Sequence, residues 1–242
     1  MLLDFKNKKV LITGATRGIG FEIAKAFEEL NATVIITGTK DNFITKEFNC
    51  HYEKLFINNE NNWKNQINSI INKYNGFDIC INNVGINRIN PIEKTDYEDL
   101  ENIILTNLTA PIYITSLVSK KMIENKKGSI INIGSIFGTV SKMGRSPYTA
   151  TKSGIIGVTK TMSIDLADHN ILVNCVSPGF VDTELTRKVL GEEQMKIMAK
   201  RIPLKRLASA KDIAPLILFL CSEFNTYITG QNIIIDGGFT LE

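Results

Sequence analysis

The tightest constraint on this chain's fold is an uninterrupted run of strand, glycine turn and helix near its start. Residues 9–13, K-V-L-I-T, are short, apolar and β-branched. They pass directly into G-A-T-R-G-I-G, and the helical pattern F-E-I-A-K-A-F-E-E-L follows. In that setting Gly14 makes the tight turn, Gly18 lets backbone approach a pyrophosphate, and Gly20 lets the helix pack against the strand. The helix N-terminus adds unbonded N–H groups and the positive end of its dipole. The spacing is G-x-x-x-G-x-G, and a glycine turn that holds nothing is the plain alternative reading.

The rest of the chain repeats the alternation. Strands are expected at A-T-V-I-I-T-G, Y-E-K-L-F-I-N-N, F-D-I-C-I-N-N-V-G, G-S-I-I-N-I-G, I-L-V-N-C-V-S-P-G-F-V and near the end in Y-I-T-G-Q-N-I-I-I-D-G-G. Helical patterns lie between most of them. The connection from Thr39 to Glu53 is too short for a full crossover helix. A long helix is expected from about Thr95, opened by a capping box with Glu98, and it carries Asn107 in an otherwise apolar stretch. This order predicts an α/β fold: a Rossmann-type doubly wound parallel sheet with helices on both faces, in a single domain over residues 1–242. Residues 182–207, amphipathic and without strong anchors, are expected to be a mobile substrate lid.

The stretch from Ser135 to Lys152 carries the candidate chemistry. Ser146 suits an N-cap and Pro147 a first helical position, so a helix is expected to open there. Tyr148 and Lys152 then share one helical face, one turn apart. An ammonium close to a phenol favours the phenolate. A hydroxyl from Ser135, a phenol and a fixed cation around one point suit proton transfer at a carbonyl or an alcohol. Taken alone, a Tyr and a Lys at that spacing occur on many helices by chance.

In a dinucleotide site, an acid at the end of the second strand bonds the ribose 2′-hydroxyl and repels a 2′-phosphate. Gly38 stands there, followed by Thr39 and Lys40, and Arg17 adds a cation from the glycine loop. The balance favours NADP(H) over NAD(H), which stays possible.

Other function classes are set aside on composition. The net charge of +3 and scattered basic residues give no nucleic-acid footprint. No segment is expected to span a membrane. The N-terminus lacks the order of a secretion signal, so a cytoplasmic location is expected. Four single cysteines and two isolated histidines offer no metal site.

Together, T-G-A-T-R-G-I-G, N-N-V-G, Asn107, Ser135, Y-T-A-T-K, P-G and the terminal I-T-G…D-G-G resemble the short-chain dehydrogenase/reductase family over nearly the whole chain. The pattern is most like that of the 3-oxoacyl-(acyl-carrier-protein) reductases. The resemblance implies Tyr148 as general acid in reduction and Lys152 as the group that stabilises its phenolate and bonds the nicotinamide ribose. It implies Ser135 as the polariser of the carbonyl and Asn107 as the holder of a water leading from Lys152 to solvent. It implies a cofactor lined by Gly14, Thr16, Arg17, Gly18, Ile19, Gly20, Thr39, Asn58, Asn83, Gly85, Tyr148, Lys152, Pro178, Gly179, Val181 and Thr183. It also implies a homotetramer and, through Lys120, Lys121, Lys126 and Lys127, docking of an acidic acyl carrier protein. A dehydrogenase of a sugar, polyol or small alcohol using the same site is the alternative. The intact Ser135, Tyr148 and Lys152 set argues against an idle nucleotide-binding scaffold.

Overall fold

The structure, a computed structural model, describes residues 3–58 and 62–241. Among these residues seven strands form one parallel sheet: β1 Lys9–Ile12, β2 Thr33–Gly38, β3 His51–Lys54, β4 Ile79–Asn82, β5 Gly128–Ile133, β6 Ile171–Pro178 and β7 Asn232–Ile235. Their spatial order is β3-β2-β1-β4-β5-β6-β7. The order reverses between β1 and β4, so a crevice opens beyond the carboxyl ends of those two strands.

Helices cover both faces, as the alternation predicts. Val10 and Ile12 of β1 pack with Ile23 and Phe27 of α1 (Gly18–Glu28) and with Ile217 of α7 (Ala214–Cys221). The intervening Leu11 points to the other face. There it meets Ile67 of α2 (Trp63–Lys73) and Ile114 and Val118 of α4 (Ala110–Asn125). A strand whose successive side chains are all buried needs an apolar residue at every position, and β1, β4 and β5 supply nearly that.

The exceptions are Asn82 and Asn132, paired across β4 and β5. Asn82 Nδ2 donates to Thr115 Oγ1 at 3.1 Å and to Asn132 Oδ1 at 2.8 Å. Asn132 Nδ2 donates to Thr159 Oγ1 at 2.9 Å, and that hydroxyl donates to Ile155 O at 2.7 Å. The chain of bonds ties α4, the sheet and α5 (Ser146–Ala167) together through their buried interior. Removing its middle member strands amides and hydroxyls away from water. Asn132→Ala is expected to destabilise the fold by about 1–3 kcal/mol for each group left unpaired. Chemical denaturation measures this directly, and an unchanged midpoint refutes it.

Several local expectations are corrected. The chain between β2 and β3 has no full crossover helix, as expected, nor the turn or two of helix that its length allowed, only bends, and β3 is shorter than expected; Asn59, the end of that expected strand, lies outside the described residues, as do the chain ends. The capping box at Thr95 does not form. α3 (Tyr97–Ile104) opens one residue later on Asp96, whose carboxylate accepts from Asp99 N at 3.0 Å, while Thr95 Oγ1 is buried without a partner. An ionised carboxylate is the stronger acceptor of the two candidates. The long helix is broken between α3 and α4 by a π turn, Leu105–Thr109. Pro111 follows it and brings no N–H to the carbonyl of Asn107. Likewise α5 begins at Ser146 itself, with Arg145 in the cap place and no side-chain cap, so Pro147 is its second residue.

Against the expectation of no membrane span, the run Tyr97–Asn125 is long and apolar enough to cross by length and composition, with half of its most apolar stretch buried. Ile114, Val118 and Met122 of this run face the sheet, which is where its apolar character is used. In α6 (Glu184–Arg201) the backbone departs from helical geometry at Gly191. The 182–207 segment has anchors that its sequence did not reveal: Met198 and Ile202 are buried with Ile136, Phe137 and Phe180.

Candidate active site

The glycine loop is drawn against the end of β4 by bonds that each require a specific neighbour. Thr13 Oγ1 accepts from Asn83 N at 3.0 Å and Val84 N at 3.1 Å. Asn83 Nδ2 donates to Thr13 O and Gly14 O, both at 2.9 Å. Gly14 has φ of 63°, and a Cβ there would stand 3.0 Å from the Val84 backbone. A Cβ on Gly20 would stand 2.5 Å from Asn83 Nδ2, so any larger residue displaces the amide that stitches the loop. Asn83 is therefore the brace of the loop, a role beyond the cofactor contact implied for it. Gly18 opens α1 facing the Thr183 side chain, which a Cβ would meet at 3.7 Å. The first turn of α1 holds no acid and its cap residue, Arg17, gives no side-chain bond. Its leading N–H groups are left for an anion.

Around the end of β2, a Cβ on Gly38 would run into Thr16 at 2.6 Å and the Tyr52 ring at 3.1 Å. The nearby acid, Asp41, is bonded by Lys54 at 2.6 Å, which holds its carboxyl below the usual range. Arg17 is exposed and lies 3.5 Å from Glu184, a weak surface pair. Thr39 and Lys40 follow β2 on the surface, Ile19 packs against the core within the first turn of α1, and Asn58 lies just past β3.

The other half of the site grows from the end of β5. Ser135 is buried and caps the short turn Ile136–Gly138, accepting from Phe137 N at 3.2 Å. That turn is keyed into α5. Ser153 Oγ donates to Gly138 O at 3.1 Å, and the Phe137 ring meets Tyr148 edge-on with centroids 6.4 Å apart. Lys152 is 4% exposed, and its ammonium donates to Ile133 O at 2.7 Å, 5.6 Å from the centre of the Tyr148 ring. No acid among the described residues pairs with it. The Tyr148 hydroxyl, half-buried, takes no hydrogen bond from any described residue.

Asn107 is held from the π turn. Its Oδ1 accepts from Ile86 N and its Nδ2 donates to Ile86 O, both at 2.8 Å, with a further bond to Thr151 Oγ1 at 3.3 Å. A Cβ on Gly85 would lie 3.5 Å from Asn107 Oδ1 and 3.7 Å from Lys152 Nζ, so the two groups flank one point beside the β4 loop. The side-chain amide is thus spent on the loop, and the main-chain carbonyl, to which Pro111 brings no N–H, is the group of Asn107 left as a candidate to hold a water.

Pro178 ends β6 and Gly179 packs against Asp236, where a Cβ would meet its Cβ at 2.7 Å. Val181 bridges to Ala208, and Thr183 caps α6 by accepting from Thr186 N at 3.2 Å. All these segments leave the same edge of the sheet. One group near Tyr148 carries no signal in sequence order: Arg145, 7% exposed, with its guanidinium 4.5 Å from the centre of the Phe137 ring. Among the described residues no group of His, Cys, Asp and Glu is arranged to hold a metal ion.

A family model described as Enoyl-(Acyl carrier protein) reductase matches residues 14–240. The 3-oxoacyl-[acyl-carrier-protein] reductase FabG of Aquifex aeolicus (strain VF5) is 37% identical, over 98% of this chain and 99% of the relative. The FabG of Chlamydia pneumoniae is 36% identical, over 99% of this chain and 100% of the relative. Among solved structures, a gluconate 5-dehydrogenase from Burkholderia cenocepacia J2315 in complex with NADP and tartrate superposes with a TM-score of 0.89. It is 26% identical, over 99% of this chain and 97% of that one.

Proposed function

The chain belongs to the short-chain dehydrogenase/reductase family, and on that premise we propose that it is an NADPH-dependent reductase of 3-oxoacyl thioesters. The observation that carries the reading is the pairing at α5: a buried ammonium, fixed by Ile133 O and paired with no acid among the described residues, beside a phenol whose hydroxyl no described residue claims.

The residues present fit a dinucleotide. The uncapped first turn of α1 suits a pyrophosphate, Gly18 and Thr183 leave the approach open, and the acid near Gly38, Asp41, is taken up by Lys54. When bound, the nicotinamide supplies a hydride to the carbonyl carbon. The protein's own groups do the rest. Ser135 and Tyr148 hydroxyls hydrogen-bond the carbonyl oxygen, and Tyr148 delivers its proton there as negative charge develops. The Lys152 charge stabilises the phenolate left behind. The main-chain carbonyl of Asn107, to which Pro111 brings no N–H, orders a water through which Lys152 exchanges protons with solvent. The 182–207 segment closes over the substrate, and Lys120 and Lys126, exposed beside the half-buried Lys121 and the Glu223-paired Lys127, receive an acidic acyl carrier protein. We also propose a cytoplasmic homotetramer. Ile104, Ile112 and Ile164, exposed on α3, α4 and α5, support assembly.

Acetoacetyl thioester, screened beside ketones and sugars while NADPH loss is followed at its absorbance band, is expected to be the preferred substrate. Turnover confined to sugars or polyols would replace this reading with the dehydrogenase one, which the likeness to the gluconate 5-dehydrogenase supports. For the cofactor, NADPH is expected to bind more tightly than NADH, and Arg17→Ala to narrow the gap. The weak pair with Glu184 leaves that guanidinium available to a phosphate. Fluorescence titration of both nucleotides measures the difference, and equal affinities in the unaltered protein refute the 2′-phosphate argument.

A further inference from the structure

Arg145 is the one buried arginine among the described residues, and the mechanism above does not use it. Its guanidinium lies over the Phe137 ring, next to Tyr148, on the turn that leads into α5. Its Nε is sealed from solvent with no hydrogen-bond partner. No carboxylate among the described residues pairs with it, although exposed arginines elsewhere, Arg187 and Arg206, hold Asp182 and Asp212 at 2.7 Å. Burial pulls its guanidinium below the usual range, the mark of a cation deprived of water and given no anion in return. An aromatic face repays part of that loss, but it offers no acceptor to a group with five N–H donors. A guanidinium kept in this condition beside a proton donor is prepared for an acceptor that arrives with the substrate.

We propose that Arg145 is a specificity-determining residue that hydrogen-bonds a second oxygen of the substrate, adjacent to the carbonyl that Tyr148 protonates. This rests on the reductase reading of the same site and deepens it: the preferred substrate class is the 1,3-dicarbonyl, in which a thioester or carboxylate oxygen accompanies the ketone. Both sources share one chemistry, a strong planar acceptor matched to the guanidinium fork.

The test compares the unaltered protein with Arg145→Met and Arg145→Lys on acetoacetyl thioester, on acetoacetate and on the monoketone 2-pentanone. Arg145→Met, which keeps an apolar side chain of similar length beside Phe137, is expected to raise KM for the dicarbonyl substrate about ten- to a hundredfold. The same change should leave kcat within about fivefold, and NADPH affinity unaltered. Arg145→Lys restores part of the loss, and 2-pentanone kinetics stay level. A purely structural arginine would instead lower kcat for all substrates together and reduce thermal stability. Either that pattern or an unchanged KM overturns the inference. If the thioester is not turned over but acetoacetate is, the thioester reading fails while a KM rise on acetoacetate still upholds the role of Arg145. Should Arg145→Met not fold, the KM of Arg145→Lys decides, with an unshifted value counting against the proposal.

Discussion

Tyr148→Phe is expected to lower kcat by about a hundred- to ten-thousandfold, the range that a positioned acid contributes. The substitution removes one oxygen and leaves the ring. That ring meets Phe137 edge-on, and its hydroxyl serves no other described residue, so nothing in the fold depends on it. Melting temperature and NADPH affinity are therefore expected to match those of the unaltered protein. Carbonyl reduction followed at saturating NADPH isolates the lost proton transfer. A variant that keeps its rate would show that another group, or solvent, supplies the proton.

Lys152→Met is the second large effect. The methionine stem fills the same buried path but carries neither charge nor donor. The Ile133 carbonyl loses its partner, and the phenolate loses its nearby cation. Loss of about a hundred- to a thousandfold in kcat is expected, in the range found when one donor facing developing charge is removed. Stability should move the other way or stay level, because an ammonium buried without a carboxylate costs desolvation that methionine does not. Paired measurement of kcat and thermal midpoint separates the two. If activity and stability fall together, Lys152 is a structural tie of the β5 end and not a group serving the reaction.

These two residues were legible from the sequence because their relation is local: positions four apart meet on any helix. The doubly wound parallel sheet was legible for a similar reason, since apolar runs alternating with helical patterns leave few arrangements open. What escaped was set by neighbours far along the chain. Asn82 and Asn132 sit inside runs that read as apolar, and their bonds to Thr115 and Thr159 appear only once helices α4 and α5 lie on the sheet. Arg145 looks like an ordinary loop arginine until Phe137 is placed beneath it. The choice between Thr95 and Asp96 as cap turned on a single step of side-chain direction. By contrast, Pro111 was a signal that the expected long helix passed over: a proline one helical turn past Asn107 announces an interrupted helix.

The all-parallel order of the sheet has a consequence for how this molecule comes into being. Every ladder joins segments that a hairpin cannot bring together. The brace between Asn83 and Thr13, the clamp between Asn107 and Ile86, and the tie between Lys152 and Ile133 are each closed only after a long excursion of chain. Such contacts form late, because loop entropy is spent before they repay it. A chain cut short of these closures lacks the partners that hold its site together, and it is expected to show none of the activity.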